Sequence, residues 1–439
     1  MRAPRIAVVG GGLAGLAAAQ RLRARGAEVR VLEAGPRLGG RAAGEERDGF
    51  ALAPAAPWVG ARDASLLSAV GEAGLAGTLL PLRPAALVRV GEAGATLLDP
   101  SAHLAGGPPR DVGLAARLRL RRLDRLARRF AGLLDPATPE RAARLDDRSA
   151  ADFTRLYFGR RALERWVGPW LAAESLADAE QASRALFLLT WRARDRAGAG
   201  TLRGGIAPLV AALADPALDR CGAAVRAVEP RDGGGLRVRL DDGDLDAEAV
   251  VVATPAPEAR ALAAPCLRTP ERRYLEGVGY AAAVALAAGL SRAPLRACTR
   301  LWVPPPGDAV LARIHVEPAS GPEAGATVSV LASEAWSRSH LAAPDDAVAK
   351  ALLAALERLV PSGPGAVRTH AVWRFAAGLP RFDVGHLRAV ARFREVQRDL
   401  RGGGRRLYFA GDHLVGPTLE GAAASGRRAA DQVAADLRL

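Results

Sequence analysis

The chain has almost no lysine. Lys350 is the only one among 61 basic residues, so arginine carries nearly all of the formal net charge of +14. That skew accompanies abundant alanine, glycine and proline and reads as genome composition as much as function. Cysteine is scarce as well. Cys221, Cys266 and Cys298 are far apart, odd in number and without CxxC or Cys/His ligand spacing. A disulfide framework and a zinc site are therefore not expected, and a reduced, cytoplasmic chain is. The six histidines form no HExxH pair, so no metal is expected. No apolar run reaches the ~18 residues of a membrane span. No basic segment is interleaved with aromatics, so the charge does not imply a nucleic-acid partner.

What is present suits a large core. A chain of 439 residues that is 49% hydrophobic and 25% charged has the makeup of a globular enzyme of about two to three domains. Arg2 and Arg5 ahead of Ile6–Ala19 imitate a signal peptide, but Gly10-Gly11-Gly12 would interrupt its apolar region. The better reading is a buried strand, Arg5–Val9, running into Gly10-Gly11-Gly12-Leu13-Ala14-Gly15 and then a helix that ends near Gly26. Gly10 permits a tight turn, Gly12 lets backbone approach a pyrophosphate, and Gly15 lets the helix pack on the strand. The N–H groups of Leu13 and Ala14 open the helix toward the phosphates. A second strand, Glu28–Leu32, ends at Glu33, 18 residues past Gly15, near the ~20 expected of a carboxylate that binds a ribose hydroxyl.

After Glu33 the chain reads Ala34-Gly35-Pro36-Arg37-Leu38-Gly39-Gly40-Arg41. E-A-x-x-R-L-G-G-R behind a glycine loop resembles the flavin amine oxidase superfamily: amine oxidases, protoporphyrinogen oxidases and carotenoid or squalene-pathway desaturases. The resemblance implies that Gly40 and Arg41 pass close to an FAD pyrophosphate, with Arg41 offering a donor fork. Two later segments resemble the same superfamily. Cys221–Thr254 alternates as three short strands, and the resemblance makes Val225 a backbone contact to adenine. Arg406–Asp412 is a strand ending in Gly411-Asp412, whose acid is implied to meet ribityl or phosphate oxygens. Pro417–Ala422 then opens a helix running from Gly421 to Leu437. Leu419 stands at its start, and the positive end would favour reduced, anionic flavin.

The fold expected is α/β: a Rossmann-type FAD-binding domain with a discontinuous α+β substrate domain and a helical insertion. FAD-binding segments are assigned to 1–75, 205–260 and 395–439, and substrate segments to 76–204 and 261–394. Residues 110–200 read as helical and 275–335 as an antiparallel sheet. Arg117–Leu134 is a basic amphipathic stretch with two readings, a membrane-surface helix and a domain helix with a solvated face. The second is preferred because tryptophan is absent there and arginine is common everywhere. Peripheral contact with the inner membrane face stays the alternative. Ser149 and Asp152 form a capping pattern, and Phe153, Tyr157, Phe158, Trp166 and Trp170 read as core before cavity. His370–His386, with Trp373 inside it, resembles the W-x-x-A-x-P-x-Y-x-x-G-H stretch of protoporphyrinogen oxidases, with one residue more and Phe382 for the tyrosine.

There are departures. Ala51–Trp58 lacks the acid and glycine that protoporphyrinogen oxidases show there, and Lys350 lies in a surface helix, Asp345–Leu359, where no amine-oxidase lysine would be. No cysteine neighbours Gly411-Asp412, so FAD is expected to be noncovalent. No His/Asp or paired-carboxylate set falls at a motif position, so no catalytic side chain is assigned. The function expected is hydride transfer from an apolar small molecule to flavin N5, protoporphyrinogen-oxidase-like. The alternatives are an isoprenoid desaturase or dehydroxylase and an inactive flavin-binding partner protein.

Overall fold

Residues 6–9 are apolar without alternation, which suits a strand covered on both faces. In the computed structural model, which describes residues 3–54, 58–81, 83–91, 94–97, 114–193, 200–295, 299–302, 310–318, 325–363 and 365–439, Arg5–Val9 is such a strand. It is internal to a four-stranded parallel sheet ordered Leu407–Phe409, Ala249–Val252, Arg5–Val9, Glu28–Leu32. Three distant stretches of chain thus supply one sheet. Ile6, Val8, Val29, Val31 and Val251 face the helices Leu13–Arg23 and Leu419–Leu437. Gly426 lets those helices touch, since a Cβ there would lie 2.0 Å from the Ala14 carbonyl oxygen. Ala7, Val9, Val250 and Val252 face the other way, onto an antiparallel meander of Val225–Pro230, Leu236–Leu240 and Gly243–Ala247.

That meander corrects the expectation of three strands over 221–254. The polar run Asp241–Asp244 is only partly a turn, because Asp244 and Asp246 belong to an edge strand. Their carboxylates meet Arg237 and Arg239 across the ladder. Paired cross-strand charges stabilise a strand that hydrophobic alternation does not announce.

The second layer is a seven-stranded sheet ordered Val367–Pro380, Tyr280–Leu290, Ala326–Ala332, Leu311–Pro318, Thr299–Trp302, Arg83–Gly91, Gly94–Leu97. It is antiparallel except where Arg83–Gly91 runs parallel to Thr299–Trp302. Val284, Leu286, Ile314, Val316, Val328 and Val330 pack against the helix Asp345–Leu359. The opposite face looks inward, toward the nucleotide sheet and a helical layer.

The helical layer is built on buried aromatics. Trp166 and Trp170 stack with centroids 6.1 Å apart, and Phe153, Phe158, Phe187 and Trp191 complete the cluster. The aromatics of 153–170 are therefore core, apart from Tyr157, which is exposed. The basic helix spans Leu114–Arg129, three residues earlier at its start and five shorter at its end than the pattern suggests. Leu123 and Ala127 anchor it in this core, while Arg122, Arg125, Arg128 and Arg129 are exposed. Ser149 accepts the Asp152 N–H as helix cap. Asp146, fully buried, accepts the N–H groups of Gly385 (2.9 Å) and Arg388 (3.2 Å) and so caps the helix His386–Gly402.

Candidate functional site

The glycine loop forms where strand gives way to helix. Gly15 packs so tightly that a Cβ would sit 2.0 Å from the Gly10 carbonyl oxygen. Gly12 caps the helix Leu13–Arg23 with no side chain and no acid in the first turn. The first N–H groups of that helix have no intrahelical partners and carry its positive end. A Cβ on Gly12 would meet nothing within 4 Å. An uncapped, open, positive helix end beside a bare glycine fits a diphosphate.

Glu33 closes the loop from below. Its carboxylate accepts the Gly11 N–H at 2.7 Å and the Gly35 N–H at 2.8 Å. The acid therefore shapes the loop, and each oxygen retains a second lone pair for a hydroxyl donor. Ala34 beside it is exposed. Arg220–Ala223 extends this edge through Glu33 N–H to Arg220 O and Ala223 N–H to Glu33 O, which brings Val225, first residue of its strand, to the same side.

A second glycine turn rests on the first. Gly39 bridges Gly12, with its N–H on the Gly11 carbonyl at 2.8 Å. Gly39 and Gly40 have φ of 107° and 53°, left-handed values that glycine adopts at least cost. This turn aims Arg41 at the junction of the two sheets. The guanidinium donates to both Asp412 oxygens, at 2.7 and 2.9 Å, and to the Gly378 carbonyl at 2.8 Å. The fork that the sequence offers to a phosphate is thus engaged by Asp412, the other residue the resemblance places at the cofactor. The Arg41 side chain keeps 30% exposure and that of Asp412 only 7%. Despite burial, the Asp412 carboxylate holds the Arg41 pKa above its ordinary value.

The turn after Gly411 is anchored from behind. The His413 carbonyl accepts the Tyr274 hydroxyl at 3.0 Å and pairs with His386 Nε2 at 2.8 Å. The His413 ring is buried, and neither nitrogen has a hydrogen-bond partner among the described residues. Burial, then His386, then Arg41 push its pKa down to about 3, so it is neutral. Burial also lowers His386 and raises Tyr274. Sequence reasoning passed over this trio; the signal available was the His immediately after Gly411-Asp412.

The helix Leu419–Leu437 begins two residues before the expected Gly421, with Thr418 accepting the Gly421 N–H. Leu419 is half-buried at its start. Glu420, the one acid of the first turn, turns aside to accept the Ser65 and Leu66 N–H groups at 3.1 and 2.7 Å. Trp373 lies on Val367–Pro380, packed with Phe50 and Leu52. Phe382 departs from the site: it is buried in the helical-layer core, with its ring on His386. Residues 55–57 of the divergent segment lie outside the described residues. Lys350 is exposed on the helix Asp345–Leu359, which covers the sheet's outer face. Among the described residues no His/Cys/Asp/Glu group could hold a metal, and no helix is long and apolar enough to cross a membrane.

A glycine-loop nucleotide sheet is thus joined at Arg41–Asp412 to an inward-facing antiparallel sheet. The chain belongs to the family described as flavin containing amine oxidoreductase, which it matches over residues 13–434. A carotenoid phi-ring synthase of Streptomyces griseus is 31% identical over 329 residues, which span 69% of this chain and 60% of that protein. Among solved structures, a candidate protoporphyrinogen oxidase from Exiguobacterium superposes with a TM-score of 0.75 at 19% identity, covering both chains fully. Cyclohexylamine oxidase from Brevibacterium oxydans gives 0.75 at 18%, again over the whole of both chains. Putrescine oxidase gives 0.75 at 20%, over 99% of each. At these identities the structures speak for fold alone.

Proposed function

We propose that this chain binds FAD noncovalently and oxidises a largely apolar small molecule, isoprenoid-like in its body. The carrying observation is the convergence of the open helix end at Gly12, the Glu33 carboxylate and the Arg41–Asp412 pair on one seam between the sheets. When bound, FAD supplies hydride acceptance. The chain's own residues do the rest. The Leu13–Arg23 helix end and Gly12 receive the diphosphate, and Glu33 receives ribose hydroxyls. Arg41 is poised to exchange part of its Asp412 contact for cofactor oxygens. The N-terminal end of Leu419–Leu437, with Glu420 turned away, offers positive potential to an anionic ring. The described surroundings, Phe50, Leu52 and Trp373, exclude water.

The carotenoid relative favours an isoprenoid body. The stretch 370–386, which resembles protoporphyrinogen oxidases, reaches the junction through the Gly378 carbonyl on Arg41, while its Phe382 packs in the helical-layer core. Anaerobic titration tests the proposal: an isoprenoid substrate should bleach the flavin band, whereas amines should not. Bleaching by amines alone would overturn it. Free cytoplasmic residence belongs to the same proposal, because the basic helix uses its apolar side inside the helical layer.

A further inference from the structure

The inward face of the seven-stranded sheet has two unlike halves. Register fixes which residues sit side by side. One rung runs Trp373, Ala285, Leu331, Arg313; the next Ala371, Ala287, Ser329, His315; the third Thr369, Gly289, Thr327, Glu317. Residues directly opposed across strands share a face, and the other face is sealed by the helix Asp345–Leu359. Each rung therefore passes from small or apolar groups to an ionisable one. Arg313, His315 and Glu317 recur at period two, so they form a column along one strand.

The alanine half is roofed. Leu176 of the helical layer packs on Ala281, Ala283 and Ala285, and Leu52 with Phe50 packs on Ala287. The polar half is not fully roofed. Arg313, Glu317, Thr327 and Ser329 keep partial exposure although their strands are interior to the sheet. Trp373 and Phe375 do the same at the far side. Among the described residues, then, the polar column is only partly covered. Arg313 is held at its border, donating to the Ala173 carbonyl at 3.3 Å. Arg313 and Trp373 are three strands apart, roughly 14 Å at ~4.8 Å per strand. Burial pushes Glu317 up to about 7, so near neutrality it repels an anion less than an ordinary carboxylate.

We infer that this column is a carboxylate-binding site, and that the substrate has an apolar body and a carboxylate head set against Arg313, with the Ser329 hydroxyl as a second donor. A guanidinium fork matches a carboxylate in charge and shape. A cationic amine would meet the arginine's charge instead. That the ligand is a substrate rests on the oxidoreductase reading above; the site itself does not.

Calorimetry on the flavin-loaded protein with dodecanoate, dodecanol and dodecylamine tests the inference without turnover. Dodecanoate should bind at least about tenfold tighter than dodecanol, as a charge-assisted pair requires, with dodecylamine weakest. Arg313→Met should erase the preference at unchanged flavin content, and Arg313→Lys should keep part of it. Equal affinities for the three probes, or a preference that survives Arg313→Met, would overturn the site. Should Arg313→Met fail to fold, the probe series on the unmodified protein and on Ser329→Ala decides: a clear preference narrowed by Ser329→Ala supports the site, and one that Ser329→Ala leaves unchanged counts against it. Carboxylate preference with a flavin that no substrate reduces counts against the oxidoreductase reading and leaves the site standing. A flavin reduced by neutral hydrocarbon without carboxylate preference does the reverse.

Discussion

His413 should make this protein acid-sensitive well above the pH at which carboxylates protonate. Its folded pKa is pushed down to about 3 from an ordinary 6.5, mainly by burial. Between those values the unfolded chain holds a proton that the folded chain refuses. The stabilisation is thus complete above pH 6.5 and drains away as pH falls toward 3. At pH 5 the unfolded histidine is 1.5 units below its pKa, so the loss is about 2 kcal/mol at ~1.36 kcal/mol per unit. Glu317 acts with the opposite sign. Its folded pKa is raised to about 7, so acidification from 7 toward 4.5 stabilises the fold. A single pH series would mix these terms. The clean assay compares denaturant unfolding of the FAD-saturated protein with that of His413→Gln, at pH 7 and pH 5. Glu317 and the other groups are common to both proteins. The unmodified protein should lose about 2 kcal/mol more than the variant on going to pH 5. An equal loss in the two would refute a buried, neutral, unpartnered His413.

Three further predictions concern the cofactor, the lone lysine and the basic helix. Glu33→Ala removes a carboxylate that holds Gly11 and Gly35 and is assigned to the ribose; the cost of about 1.5–3 kcal/mol should appear as at least a tenfold weaker FAD dissociation constant, and an unchanged one would refute the assignment. Lys350→Met should leave flavin reduction and reoxidation rates unaltered in stopped flow, since Lys350 is exposed on the outer helix; a large drop in either would revive an amine-oxidase role. The protein should not co-sediment with anionic vesicles at low or high salt, because Leu123 and Ala127 are spent on the helical core. Salt-sensitive sedimentation abolished by changing Arg122, Arg125 and Arg128 to Gln would establish a charge-driven membrane face.

The nucleotide half of the fold was legible because its signals are local. Glycines at 10, 12 and 15, an unbroken apolar strand and an acid at 33 each constrain backbone within a few residues. The strands Arg5–Val9 and Glu28–Leu32 and the helix Asp345–Leu359 lie where the pattern puts them. What escaped was set by tertiary pairing. Gly243–Ala247 is a strand because arginines across the ladder neutralise its acids. Arg83–Gly91 and Gly94–Leu97 join the large sheet through Thr299–Trp302, a partner some 200 residues on that no local pattern names. The Arg41–Asp412 contact joins residues 371 apart in sequence, and each was read alone as a cofactor ligand. The alternation of Arg313, His315 and Glu317 was visible, but a segment taken as apolar runs between Gly and Pro hid it.

The central claim is noncovalent FAD at the seam of the two sheets. Its most direct test is the visible spectrum of the purified or FAD-reconstituted protein, followed by acid precipitation and mass analysis of supernatant and pellet. The account predicts a flavin chromophore near one per chain, released entirely into the supernatant with the mass of FAD. Flavin retained on the precipitated chain would contradict noncovalent binding, and a protein that takes up no flavin on reconstitution would contradict the site itself.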